Sequence, residues 1–124
     1  MAVNATQALD IWRGAIVESV RRDSPDLSAR QMAVLTTVYL CASPHTVRGL
    51  AETLNVAKPA VTRALDRLSD LGLVRRKPDP DDRRSVLVQR TVKGSVFLSE
   101  FGELIVKAAE ETGADEIEAA AHAA

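Results

Sequence analysis

Residues 60–94 read AVTRALDRLSDLGLVRRKPDPDDRRSVLVQRTVKG, and three changes of pattern within them decide the fold. Val61, Ala64, Leu65, Leu68 and Leu71 fall within one arc of about 120° when wound at ~100° per residue. The opposite arc holds Thr62, Arg63, Asp66, Arg67 and Asp70. A helix from Pro59 to Leu71 follows, with Pro59 in its first turn and Gly72 as its C-cap. Leu73 to Lys77 and Ser85 to Arg90 are rich in β-formers, and the charged, turn-rich stretch Pro78 to Arg84 separates them. This pattern predicts a β-hairpin with a projecting tip. Thr91 is placed to cap a further helix.

Upstream, Asn55 tolerates a left-handed turn between this helix and a short one that starts at Thr46 and points Leu50, Ala51 and Leu54 inward. Two helices joined by about four residues make a helix-turn-helix. Ser43-Pro44-His45 is a connector. Before it, Ser28 and Gln31 form a capping box, with Leu27 and Met32 as a hydrophobic staple, for a helix running to about Ala42. From Thr6 to Arg22 the apolar residues Ile11, Trp12, Ala15, Ile16 and Val20 share one helical stripe, which Ser24-Pro25 ends. Downstream of Thr91, residues Val96, Phe97, Phe101, Leu104, Ile105 and Ala108 mark a long helix. Gly113 is expected to interrupt it, and a short sixth helix could follow.

The expected fold is therefore mostly α with a small β-hairpin wing, a winged helix-turn-helix in the order α1-α2-α3-α4-β-wing-β-α5 with a short α6 as an option. One domain fits the 124 residues. Within it, 28–94 forms the winged-helix lobe, flanked by helical segments 1–24 and 95–124.

Net charge is −1, yet between Lys58 and Lys93 ten Lys or Arg face five Asp or Glu, a net +5, while the remaining six basic and twelve acidic residues give −6. One basic segment on an otherwise acidic molecule suits a single face that meets phosphates. A merely solvated charged surface is the alternative. Cys41 is the only cysteine, so no internal disulfide forms. No targeting segment or long apolar run occurs, which places the chain in the cytoplasm and off the membrane. Cys41 is expected to be buried rather than redox-active, and His45 and His122 to be surface residues rather than metal ligands. Neither a Gly-rich phosphate loop nor a nucleophile-base constellation is present, and the chain reads as a non-enzyme with no cofactor or metal.

The segment Ala60 to Gly94 resembles the recognition helix, wing and fifth-helix start of MarR-type regulators, with weaker similarity back to Ser28. The resemblance rests on V-T-R-x-L-D-R-L, then G-L-V, D-x-R and T-x-x-G at these spacings. Two positions depart from the family: Arg90 stands where an apolar residue is usual, and Gly49 replaces a helix former. The resemblance implies a transcription regulator that lays Pro59 to Leu71 in the major groove of double-stranded DNA. Thr62 and Arg63 would contact base edges, with Lys58, Ala60 and Arg67 near the groove walls or backbone. The alternative for Arg63 is an intrahelical pair with Asp66, whose carboxylate would otherwise orient Arg63 or Arg67. In the wing, Asp82 would hold an arginine so that Arg83 or Arg84 enters the minor groove, where narrow grooves attract arginine. Arg75, Arg76, Lys77 and Lys93 are candidate phosphate contacts.

A lone winged helix reads few base pairs, so a homodimer on a pseudo-palindromic operator is expected, with half-sites roughly 34–36 Å apart. Leu9, Trp12, Ile16, Val20, Phe101, Leu104, Ile105 and Ala108 are the candidate interface. Thirty-three residues follow Thr91, a shorter dimerisation arm than the family's usual one. Relatives respond to small aromatic or phenolic effectors, and the short arm and four aromatic residues count against such a pocket here. The rival function is a winged-helix protein-interaction module or antitoxin-like partner without operator binding.

Overall fold

Asn4 and Ser28 each start a helix by the same reciprocal device. In the computed structural model, which describes residues 2–123 and side chains through residue 113, the Asn4 side chain accepts from the Gln7 amide at 2.8 Å, and the Gln7 side chain accepts from the Asn4 amide at 2.9 Å. This opens α1, Ala5–Arg21. Ser28 and Gln31 repeat the exchange at 3.1 and 2.9 Å to open α2, Ala29–Leu40, as the capping box predicted. Thr46 Oγ1 accepts from the Gly49 amide at 2.9 Å and starts α3, Val47–Leu54. Asn55 ends α3 at φ 53° and ψ 46°, the left-handed turn expected of it. Next comes α4, Lys58–Asp70, closed by Gly72 at φ +74°. Strands β2, Val74–Asp79, and β3, Asp82–Arg90, form the wing, and α5 spans Val92–Ala123.

Sequence periodicity missed a third strand. His45–Thr46 is β1, which pairs antiparallel with β3 through His45↔Val88 and Thr46↔Leu87, so the sheet order is β1-β3-β2. Two residues are too few to show alternation. The hairpin is also more extended than expected. Its strands reach Asp79 and Asp82, leaving Pro80-Asp81 as the turn, and Arg83 and Arg84 ride on β3 instead of on a loose loop. Pro78 is tolerated because β2 is an edge strand. Gly113 does not interrupt α5, and the segment read as an optional α6 continues that helix. His122 lies outside the residues whose side chains are described.

The chain divides into two units. In the unit of residues 26–98, the core joins Val34, Leu35 and Val38 of α2, Leu50 and Ala51 of α3, and Val61, Ala64, Leu65 and Leu68 of α4 to Leu73, Val74 and Val88 at the sheet. Each large aliphatic side chain buried here contributes roughly 1.5–3 kcal/mol, and α4 supplies four of these core residues, so its orientation is fixed by its apolar arc. In the unit of residues 1–25 and 99–124, Ala15, Leu104 and Ala108 are buried. A Cβ on Gly14 would lie 3.1 Å from the Ala108 Cβ, so the small residues allow close helix approach there. Thr112 Oγ1 donates to Asp10 Oδ2 at 3.2 Å.

Candidate nucleic-acid interface

Burial of Val61, Ala64, Leu65 and Leu68 forces the rest of α4 outward. Lys58, Thr62, Arg63, Asp66 and Arg67 are exposed and Ala60 is half-buried. Ala57, at the N-cap, has no side chain that can accept a hydrogen bond, so the first turn of α4 is uncapped. The outer surface of α4 is thus polar, rich in donors and free of large apolar groups.

The wing presents a second set of cations. Arg75 and Lys77 alternate with the half-buried Arg76 along β2, and Arg83 and Arg84 are exposed on β3. Asp79 Oδ1 accepts from the Asp81 amide at 2.9 Å, and Asp82 Oδ1 accepts from the Arg84 amide at 3.0 Å. Asp82 therefore holds the backbone of Arg84. Asp66 pairs with neither Arg63 nor Arg67. Its Oδ1 accepts from Arg76 Nη2 at 2.8 Å, which ties α4 to β2. Lys93 is exposed, and its aliphatic stem lies against the turn at Gly72, 3.3 Å from where a Cβ would stand.

Behind this surface lies a polar knot that no periodicity announces. The Tyr39 hydroxyl donates to the Leu73 carbonyl at 2.6 Å and accepts from the Thr91 amide at 2.8 Å. Thr91 Oγ1 donates to the Gly72 carbonyl at 2.8 Å and accepts from the Gly94 amide at 2.9 Å, capping α5 as expected. A Cβ at Gly94 would overlap both the Tyr39 hydroxyl and the Leu73 carbonyl. Arg90 completes the arrangement: Nε donates to the Val38 carbonyl at 2.8 Å and Nη2 to the Cys41 carbonyl at 2.9 Å, with its guanidinium 5.8 Å from the Tyr39 ring centroid. A cation on the last carbonyls of α2 complements the negative end of its dipole. These contacts give Arg90 a structural role at the position where the resemblance led us to expect an apolar residue. His45 Nε2 also lies 3.1 Å from the Cys41 carbonyl. The Cys41 side is exposed, which corrects the expectation of a buried cysteine: α2 stops at Leu40 and leaves it beyond the core.

The interface candidates separate into two groups. Leu9, Trp12, Ile16, Val20 and Ile105 are exposed, and Phe101 is half-buried. Leu104 and Ala108, each 6% exposed, are spent on the interior of their own unit. Val3 and Val106 are exposed apolar residues that the sequence reading did not include.

Residues 27–86, from the residue before the Ser28 cap into β3, match the sequence model of the MarR family. The Multiple antibiotic resistance protein MarR of Escherichia coli (strain K12) is 39% identical over 80 residues, 64% of this chain and 55% of that protein. The structure of wild-type apo MarR from E. coli superposes with a TM-score of 0.66 at 27% identity, covering 98% of this chain and 95% of that one. Residues 27–86 are a MarR-family domain. The transcriptional regulator BldR from Sulfolobus solfataricus is similar at 33% identity and a TM-score of 0.61, with 89% of this chain and 79% of that chain covered. The chain spans about half the length of the curated MarR proteins it matches. Among the described residues no helix is long and apolar enough to cross a membrane.

Proposed function

We propose that this chain is a sequence-specific, double-stranded DNA-binding transcriptional regulator. It acts as a homodimer, with α4 in the major groove and the β2-β3 wing in the minor groove. The observation that carries this reading is the exposed arc of α4: its buried side is wholly apolar, and its free side offers Thr62 and Arg63 with flanking Lys58 and Arg67. An arginine there can donate two parallel hydrogen bonds to guanine. Arg83 and Arg84 on the wing are the minor-groove candidates, and Arg75, Lys77 and Lys93 the phosphate contacts. Relatives described as transcriptional regulators support a role in gene control over an enzymatic one.

Selection of bound DNA from a random pool would supply the operator and its half-site spacing. Titrating that DNA with wild type and Arg63→Ala then tests the assignment. Arg63→Ala is expected to lose about 1–3 kcal/mol of discrimination at one base pair. Removing a pure phosphate contact, Lys77→Ala, should instead weaken all sequences alike and flatten the slope of log affinity against log salt by about one. Absent or salt-insensitive binding by wild type would overturn the proposal in favour of a protein-interaction module.

A further inference from the structure

The recognition helix carries a carboxylate that its proposed task disfavours. Asp66 sits on the exposed arc of α4 with Thr62, Arg63 and Arg67, where phosphates would repel it. The structure answers this with Arg76, whose Nη2 lies 2.8 Å from Asp66 Oδ1. Arg76 differs from its neighbours on β2: Arg75 and Lys77 are free and exposed, while the Arg76 side chain is 29% exposed and turned to α4. The paired residue opposite it, Val88, is a buried member of the core, so the root of the wing at this point is anchored. Asp66 and Arg76 are thereby the one ion pair among the described residues that joins two different secondary-structure elements; the other three lie within a helix or at its end.

We propose that the Asp66–Arg76 pair is a positioning device for specific DNA recognition: it sets the wing against the recognition helix so that both can engage their grooves together, and it cancels the Asp66 charge. The inference rests on the proposed DNA-binding function. A largely solvent-accessible ion pair, with Asp66 57% exposed, contributes little to folding stability, so its proposed role is geometric. Arg76 is then committed to Asp66 and is not a phosphate contact.

The pair and simple electrostatics predict opposite outcomes. If Asp66 were only a misplaced charge, Asp66→Asn would tighten binding to operator and unrelated DNA alike. As a positioning residue, its loss should leave or raise affinity for unrelated DNA while lowering the ratio of operator to unrelated binding by about tenfold. Arg76→Gln should lower the ratio to the same extent with little change in salt slope, because no phosphate contact is lost. The double variant Asp66→Asn with Arg76→Gln should be no worse than either single one, since both remove the same interaction. Thermal unfolding of the three proteins, expected to match wild type within a few degrees, separates positioning from misfolding. Additive losses in the ratio, or a parallel gain on all DNA for Asp66→Asn, would overturn the device while leaving DNA binding intact. Wild type that binds no DNA would overturn both.

Discussion

Tyr39 shows how one hydroxyl can organise a domain with little aromatic content. Its oxygen is saturated by the Leu73 carbonyl and the Thr91 amide, which flank the two strands at the root of the wing. Removing the hydroxyl leaves two part-buried backbone groups without it, so Tyr39→Phe should cost about 1–3 kcal/mol in urea unfolding. Gly94 exists for the same knot. Gly94→Ala drives a methyl into the Tyr39 hydroxyl and into the Leu73 backbone, and should cost about 3 kcal/mol or more. The double variant should recover only part of that loss, because deleting the hydroxyl leaves the Leu73 carbonyl in place. Full recovery would mean the hydroxyl alone requires glycine. The T-x-x-G spacing was visible in the sequence as a helix start, but its partner 52 residues away at Tyr39 was not. Nothing in local pattern connects a tyrosine in the last turn of α2 with the residue after β3, and the same applies to Arg90 and the Val38 carbonyl.

At the scale of elements, the turn at Asn55 sets where α4 begins and so which residues lead its exposed face. Asn55 has φ 53°, a conformation that costs a residue with a Cβ roughly 1–2 kcal/mol unless its side chain tolerates it. Asn55→Ala should therefore destabilise by about that amount, while Asn55→Gly should be close to neutral. A shift in denaturation midpoint at constant slope is the expected signature; equal losses for both variants would show that the asparagine side chain, not the backbone angle, matters. Elements of this kind were legible beforehand because their causes are local: caps at Ser28, Thr46 and Thr91, the left-handed turn at Asn55, and the apolar arc of α4. The misses share an opposite cause. β1 is strand only because Val88 and Leu87 pair with it, and the wing strands lengthen because cross-strand hydrogen bonds recruit Asp79 and Asp82, residues with no strand preference of their own. In the candidate interface, periodicity gave the exposed face of α4 correctly, but it could not tell that Asp66 reaches across to Arg76 instead of along its own helix.

For the whole molecule, the proposed regulator needs a second copy, and the exposed side chains of α1 and α5 indicate where it would bind. Trp12 is 53% exposed, Leu9 68% and Val20 60% on α1, with Ile16 beside them, while α5 adds Ile105 and Val106. Large apolar groups gathered on one helix face are what an interface between subunits would cover. Leu104 and Ala108 are excluded from that role by their own burial, which yields a contrast between two kinds of variant. Trp12→Glu or Ile16→Glu places a charge in the proposed subunit contact and should give a monomer by sedimentation at concentrations where wild type is dimeric, with its thermal unfolding still cooperative. Leu104→Ala should lower stability by about 2–5 kcal/mol through a cavity in the unit's own interior. Two linked lobes gain from effective concentration, so the monomeric variants should lose roughly 10²- to 10⁴-fold in operator affinity while keeping their preference within a single half-site. Wild type that sediments as a monomer while binding operator would remove the homodimer from the proposal, and with it the requirement for two half-sites one helical turn apart.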